Sequence, residues 1–109
     1  MKLVRDRIPE LTASNGQPTA FHQADPAEYA RLLRDKLLEE AAEAADATGP
    51  AELLEELGDV LQVLYALASQ ADYSPAEIEC ARARKAHTRG AFTRWVVWHD
   101  PHSGEDGSP

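Results

Sequence analysis

Lys36-Leu37-Leu38-Glu39-Glu40-Ala41-Ala42-Glu43, echoed by Glu56-Leu57-Gly58-Asp59, is the stretch on which the fold turns. If each segment is helical, each sets two carboxylates three residues apart on one face, about one turn. Twelve residues lie between Glu43 and Glu56, Gly49-Pro50 among them. That is room to end one helix, turn, and send a second back alongside the first. Four carboxylates, from Glu40, Glu43, Glu56 and Asp59, would then converge between two helices. Like charges at that spacing repel, so the cluster is unfavourable until something positive neutralises it. A hard cation with oxygen ligands is the natural neutraliser.

Working outward, three helix starts share one signature: Asp25-Pro26-Ala27-Glu28, Gly49-Pro50-Ala51-Glu52 and Ser74-Pro75-Ala76-Glu77. Each has a cap-type residue, Pro at the first helical position and Glu in the first turn, where the helix end favours negative charge. They predict helices over about 26–47, 50–71 and 75–89. A shorter helix is expected from Pro9 to Ser14, ended by Asn15-Gly16. Residues 19–23 read as extended. The stretch 92–99, rich in Trp and Val, reads as a short strand or an arm. Residues 100–109 read as a disordered tail.

The first long helix carries an apolar stripe at Tyr29, Leu33, Leu37, Ala44 and Ala47, and Glu40 falls inside it. A carboxylate on a core-facing side is costly unless paired or bound to a metal. The second helix is apolar over a wide arc, from Leu53 and Leu54 through Leu57, Leu61 and Leu64 to Leu67. So wide an arc needs cover on more than one side, and with only three substantial helices the cover is expected from another subunit. The expected architecture is all-α: an antiparallel bundle of three main helices completed by oligomerisation, with a short extended C-terminal arm. Residues 1–99 form the domain.

Charge narrows the function classes. The chain has 109 residues and a net charge of -8, which suits one small domain and argues against a nucleic-acid backbone as partner. No apolar run is long enough to span a membrane. The opening has no signal-peptide core, and one cysteine, Cys80, excludes a disulfide framework, so a reducing, cytoplasmic setting is expected. Between Leu37 and Ala81 there are eleven acids and no Lys or Arg. The bases flank this acidic middle, an arrangement suited to a central metal and an anionic ligand gripped from the ends.

The donor set points to the metal class. All-oxygen ligands suit Mg²⁺, Mn²⁺ or Ca²⁺. The histidines, His22, His87, His99 and His102, all lie outside the two core helices, which leaves di-iron and zinc poorly served. Mg²⁺ keeps several waters and is commonly shared with substrate phosphates, so an open acidic site with basic flanks points to phosphoryl chemistry.

Glu39-Glu40-x-x-Glu43 followed by Glu56-x-x-Asp59 resembles the signature of the MazG-like all-α nucleoside triphosphate pyrophosphohydrolases, a superfamily that includes the phosphoribosyl-ATP pyrophosphohydrolases. Lys2-Leu3-Val4-Arg5-Asp6-Arg7-Ile8-Pro9-Glu10-Leu11 resembles the opening of a small MazG-like subgroup. Lys36-Leu37-x-Glu39-Glu40, Asp59-Val60-Leu61-x-Val63-Leu64-Tyr65-Ala66-Leu67 and Lys85-x-x-x-Arg89-Gly90-x-Phe92 resemble its later motifs. Ala91 departs from the pattern, where a second glycine is expected.

The resemblance implies Mg²⁺-dependent hydrolysis of a nucleoside triphosphate between its α- and β-phosphates, with Mn²⁺ as a second fit, by a homodimer or homotetramer. It implies Glu40, Glu43, Glu56 and Asp59 as metal ligands. Glu39 is the candidate to orient or deprotonate the attacking water. Lys85 and Arg89, then Arg5, Arg7 and Lys36, are the candidate phosphate contacts. Lys36 also stands four residues before Glu40, where a helical ion pair is the alternative. A role in clearing damaged nucleotides is one expectation. The rivals are a phosphoribosyl-ATP pyrophosphohydrolase of histidine biosynthesis and a non-catalytic helical interaction module of the same fold. The groups that would contact the base are not readable; Phe21, Tyr65, Trp95 and Trp98 are candidate stackers whose plainer role is core or interface.

Overall fold

The computed structural model describes residues 1–16 and 20–99. Four helices follow in order: α1 (Ile8–Ser14), α2 (Pro26–Ala45), α3 (Pro50–Gln70) and α4 (Pro75–Arg89). No strand occurs among the described residues. The all-α expectation holds, and the three Pro-marked starts are where the sequence places them. Thr19 and residues 100–109, expected to be extended and a tail, lie outside the described residues.

The chain divides into two compact units, Met1–Pro75 and Ala76–Pro109. In the first, the local chemistry of each helix end is visible. Asp25 caps α2, its side chain accepting from the Glu28 amide at 2.8 Å, with Pro26 behind it pre-set for the first turn. The α1 helix stops at Asn15, and Gly16 takes φ +73°, a left-handed conformation that glycine adopts without strain.

Residues 46–49 join α2 to α3, too short a link for anything but an antiparallel return. The two helices pack on each other, and the register shows at both ends of the pair. The Gln70 side-chain amide donates to the Pro26 carbonyl at 3.4 Å, while Glu40 and Glu43 meet Glu56 at the other end.

The core of this pair is small. Among the described residues the buried apolar side chains are Leu32, Leu33 and Val63, and Leu33 is the most enclosed at 1% exposure. On α3, Val63 faces α2. The opposite side of α3 carries Leu54, Leu57, Gly58, Leu61 and Tyr65, spaced as one stripe, and its leucines remain 44–69% exposed. The wide apolar arc of the second helix is therefore covered on one side only within the chain.

In the second unit, α4 ends at Gly90, whose φ is +85° and whose amide donates to the Ala86 carbonyl at 2.9 Å. Arg82 and Glu79 pair on its surface. Of the two forms expected for residues 92–99, the structure has an arm without a strand, with Phe92 and Trp95 exposed. Trp and Val favour a pleated surface that a neighbouring strand must supply, and no such strand is present among the described residues. No described helix is long and apolar enough to cross a membrane.

With so few fully enclosed side chains, Leu33 should carry a large share of the packing. Leu33→Ala is expected to lower the unfolding free energy by about 3 kcal/mol, read by urea denaturation followed by far-UV circular dichroism. A loss below about 1 kcal/mol would contradict this placing of the core.

Candidate functional site

Glu40 and Glu43 sit three residues apart on α2, one turn of the helix, and Glu56 faces them from α3. Each offers a carboxylate oxygen, and the three oxygens lie within 4.8 Å of one another. Glu40 is buried, Glu56 half-buried and Glu43 exposed, so the cluster runs from the helix seam to solvent. Glu40 is the one charged residue buried among the described residues. One of its oxygens approaches the Lys36 ammonium at 3.5 Å; the other is buried without a hydrogen bond. Leaving such an acceptor unsatisfied costs about 1–3 kcal/mol.

Two observations on this chain fit a hard divalent cation: the orphaned buried oxygen of Glu40, and three carboxylates converging with one part-buried lysine beside them. Glu40, Glu43 and Glu56 would hold such an ion. Asp59, expected as the fourth ligand, is close enough for its charge to act on Glu56. Its own carboxylate accepts from the Arg5 guanidinium at 2.6 Å. Arg5 reaches it from the N-terminal segment, far away in sequence. The pair is half exposed and contributes at most about 1 kcal/mol.

Glu39 is not one of the three converging carboxylates, and it shares Lys36 with Glu40. Lys36 donates to it at 3.2 Å and Lys2 at 3.5 Å. The hydrogen bond and charge of Lys36, with Lys2 adding to them, hold its carboxyl below the ordinary 4.5. Glu56 moves the other way. Desolvation, then the neighbouring charges of Glu43, Asp59 and Glu40, push its carboxyl above 4.5.

Lys36 thus makes the helical ion pair that the spacing allows, to Glu40 and Glu39 together. Arg7 pairs with Glu10 at 3.4 Å on the surface. Lys85 and Arg89 stand four residues apart on one exposed face of α4, in the second unit.

A cavity of about 520 Å³ adjoins the acid cluster within the first unit. The N-terminal residues around Leu3, Arg5 and Ile8 form one wall. Tyr29, Leu33, Lys36 and Glu40 of α2 form another, and Asp59, Gln62, Val63 and Ala66 of α3 a third. Sequence reasoning missed Lys2, Gln62 and this cavity. The helical spacing of Tyr29, Leu33, Lys36 and Glu40 was a usable signal for the α2 wall. The fold-back of residues 1–7 left none.

Compared with known families, residues 6–86, most of the chain, match the family model for phosphoribosyl-ATP pyrophosphohydrolase. The matched span contains all five acids of the candidate site, Lys36 and Lys85. No curated protein and no solved structure matches the chain.

The raised affinity of Glu56 for its proton has a thermodynamic consequence. Between the ordinary glutamate value and the raised one, the folded state binds more protons than the unfolded state, so stability rises as pH falls through that window. Glu39 acts oppositely at lower pH: its contribution is present above 4.5 and is lost as pH falls through its depressed value. The metal-free protein should therefore gain thermal midpoint on acidification from neutrality towards the ordinary glutamate range. Glu56→Gln should raise the midpoint at neutral pH and flatten that dependence, checked by differential scanning calorimetry in chelator. A lower midpoint for the variant at neutral pH would contradict the electrostatic picture.

Proposed function

The chain belongs to the phosphoribosyl-ATP pyrophosphohydrolase family, within the MazG-like superfamily, and from that premise we propose that it hydrolyses nucleoside triphosphates between the α- and β-phosphates with Mg²⁺. The observation that carries this reading is the convergence of Glu40, Glu43 and Glu56 within 4.8 Å, one of them buried with an orphaned oxygen. Pyrophosphohydrolysis is the reaction class of the family. The choice of a nucleoside triphosphate rests on the opening Lys2-Leu3-Val4-Arg5-Asp6, most of which lies before the matched span. Its Lys2 and Arg5 pair with Glu39 and Asp59.

The chemistry is one displacement. Water oxygen attacks the α-phosphorus, the bond from that phosphorus to the bridging oxygen breaks, pyrophosphate leaves with the bridging oxygen, and the proton lost by the water passes to solvent. A bound Mg²⁺, or Mn²⁺ in its place, would supply charge neutralisation of the phosphate oxygens. Glu40, Glu43 and Glu56 would hold that ion, and Asp59, which accepts from Arg5, would be the fourth candidate ligand. We assign Glu39 to orienting the water rather than removing its proton. Two lysines lower its proton affinity, which weakens it as a base but fixes its direction. Lys36, Arg5 and Arg7 are the phosphate contacts of the first unit; Lys85 and Arg89, the other candidate phosphate contacts, belong to the second unit. Positioning and electrostatics supply the rate.

The working form, on this reading, is a homodimer or homotetramer of the domain 1–99. The exposed stripe Leu54, Leu57, Leu61 and Tyr65 is the surface to be covered. Gly58 lies within it, and a Cβ added there would meet nothing within 4 Å of this chain. A glycine inside a helix costs about 1 kcal/mol against alanine, so close approach of a second helix gives it a reason. The setting is the cytoplasm, in keeping with a single unpaired Cys80.

Two outcomes are expected. Glu43→Gln should cut pyrophosphate release by on the order of a hundredfold with unchanged far-UV circular dichroism. Turnover should be measured side by side on phosphoribosyl-ATP and on a panel of standard and damaged triphosphates. Faster turnover of phosphoribosyl-ATP than of every triphosphate would move the assignment to histidine biosynthesis, and no turnover of either would favour a non-catalytic module. Separately, Leu61→Asp should convert an oligomer into the 12.0 kDa monomer in sedimentation velocity. An unchanged sedimentation coefficient would remove that stripe from the interface.

A further inference from the structure

The cavity beside the acid cluster has two chemically different ends. Towards Glu40 and Asp59 it is charged, with Arg5 and Lys36 on its walls. Along the two helices the lining turns apolar away from them, at Leu33, Val63 and Ala66, while the N-terminal wall adds Asp6 and Arg7 to its apolar residues. The two helical walls explain the division. On α2, Tyr29, Leu33, Lys36 and Glu40 follow one another at three- and four-residue steps, so apolar residues give way to charged ones along a single stripe. On α3 the antiparallel return runs Asp59, Gln62, Val63 and Ala66 in the opposite chain direction, which sets acid beside acid and apolar beside apolar.

Its volume of about 520 Å³ lies within the range of small-molecule sites, roughly 300–1,000 Å³. Among the described residues Tyr29 is the one aromatic side chain on the walls, and Tyr29 and Gln62 are the uncharged polar ones. Gln62 presents both donors and an acceptor, the set that can read a polar ring edge. The orphaned oxygen of the buried Glu40 marks the charged end as the one that joins the three-carboxylate group.

We propose that this cavity is the nucleoside subsite: the base lies in the apolar end against Tyr29, Leu33 and Val63, Gln62 reads its polar edge, and the triphosphate runs past Lys36 and Arg5 towards Glu40. The assignment rests on the pyrophosphohydrolase reading. It makes Gln62 a specificity-determining residue and places discrimination between bases on α3, one turn from Asp59.

The test is calorimetric titration in Mg²⁺ with two probes, an α,β-methylene nucleoside triphosphate and inorganic triphosphate, on the wild-type chain and on Ala66→Trp and Gln62→Leu. The wild type should bind the nucleotide at least about tenfold more tightly than inorganic triphosphate, the scale of burying one ring with a satisfied polar edge. Ala66→Trp fills the apolar end and should bring the nucleotide to the affinity of inorganic triphosphate, leaving the latter unchanged. Gln62→Leu, at an exposed position that tolerates the change, should reduce the spread of affinities across a panel of bases by about tenfold. It carries the test alone if the tryptophan variant does not fold. Wild-type affinity for the nucleotide in Ala66→Trp, or an unchanged spread of base affinities in Gln62→Leu, overturns the subsite. A wild type that binds neither probe overturns the pyrophosphohydrolase reading itself, and the subsite with it.

Discussion

Three carboxylates brought within 4.8 Å of one another, with Glu40 buried among them, are the constraint on which the rest of the structure depends. The hydrophobic packing of Leu32, Leu33 and Val63 holds the α2–α3 pair together, and the antiparallel register sets Glu40 and Glu43 opposite Glu56. The cost appears on the groups themselves: Glu56 holds its proton more tightly than an ordinary glutamate, and Glu40 keeps one oxygen without a partner. The chain offsets part of this charge with its own bases. Lys36 serves Glu40 and Glu39 from the same helix, and Lys2 and Arg5 come from the N-terminal segment to Glu39 and Asp59. These contacts stop at the edge of the cluster. Of the three converging carboxylates Lys36 reaches Glu40 alone, and a small divalent cation is what such a group of oxygens fits.

The same economy shapes the fold. The chain buries little, and part of the apolar surface that it leaves exposed is ordered along one side of α3. The helix α3 has one seam against α2 and a second, leucine-lined face that stays exposed within the chain. The first face supports the acid cluster. The second is where another copy would add the stability that a single small core cannot supply.

Much of this architecture is legible in the amino-acid sequence. The Asp25-Pro26, Gly49-Pro50 and Ser74-Pro75 starts are local signals, set by a cap and a fixed φ, and each helix begins at its proline. Glu40 is legible as an anomaly, a charge at a position that helical periodicity assigns to the core. Glu56 is legible by spacing. Other features depend on contacts that no local pattern encodes. The partner of Asp59 is Arg5, brought in from a distant segment. The cavity needs walls from three separate stretches, of which the two helical ones show a period and the N-terminal one does not. Residues 92–99 have the composition of a strand, but a strand needs a neighbour, and composition cannot supply one.

The central claim is that the Glu40, Glu43 and Glu56 carboxylates form a divalent-metal centre. The most direct test is electron paramagnetic resonance of Mn²⁺ titrated into the wild-type chain and into Glu40→Gln, at neutral pH and without nucleotide, which would itself bind the ion. The account predicts that the wild type quenches the free-ion signal stoichiometrically and that the variant, equally helical, leaves the ion in solution. Equal uptake by both chains, or none by the wild type, would contradict it.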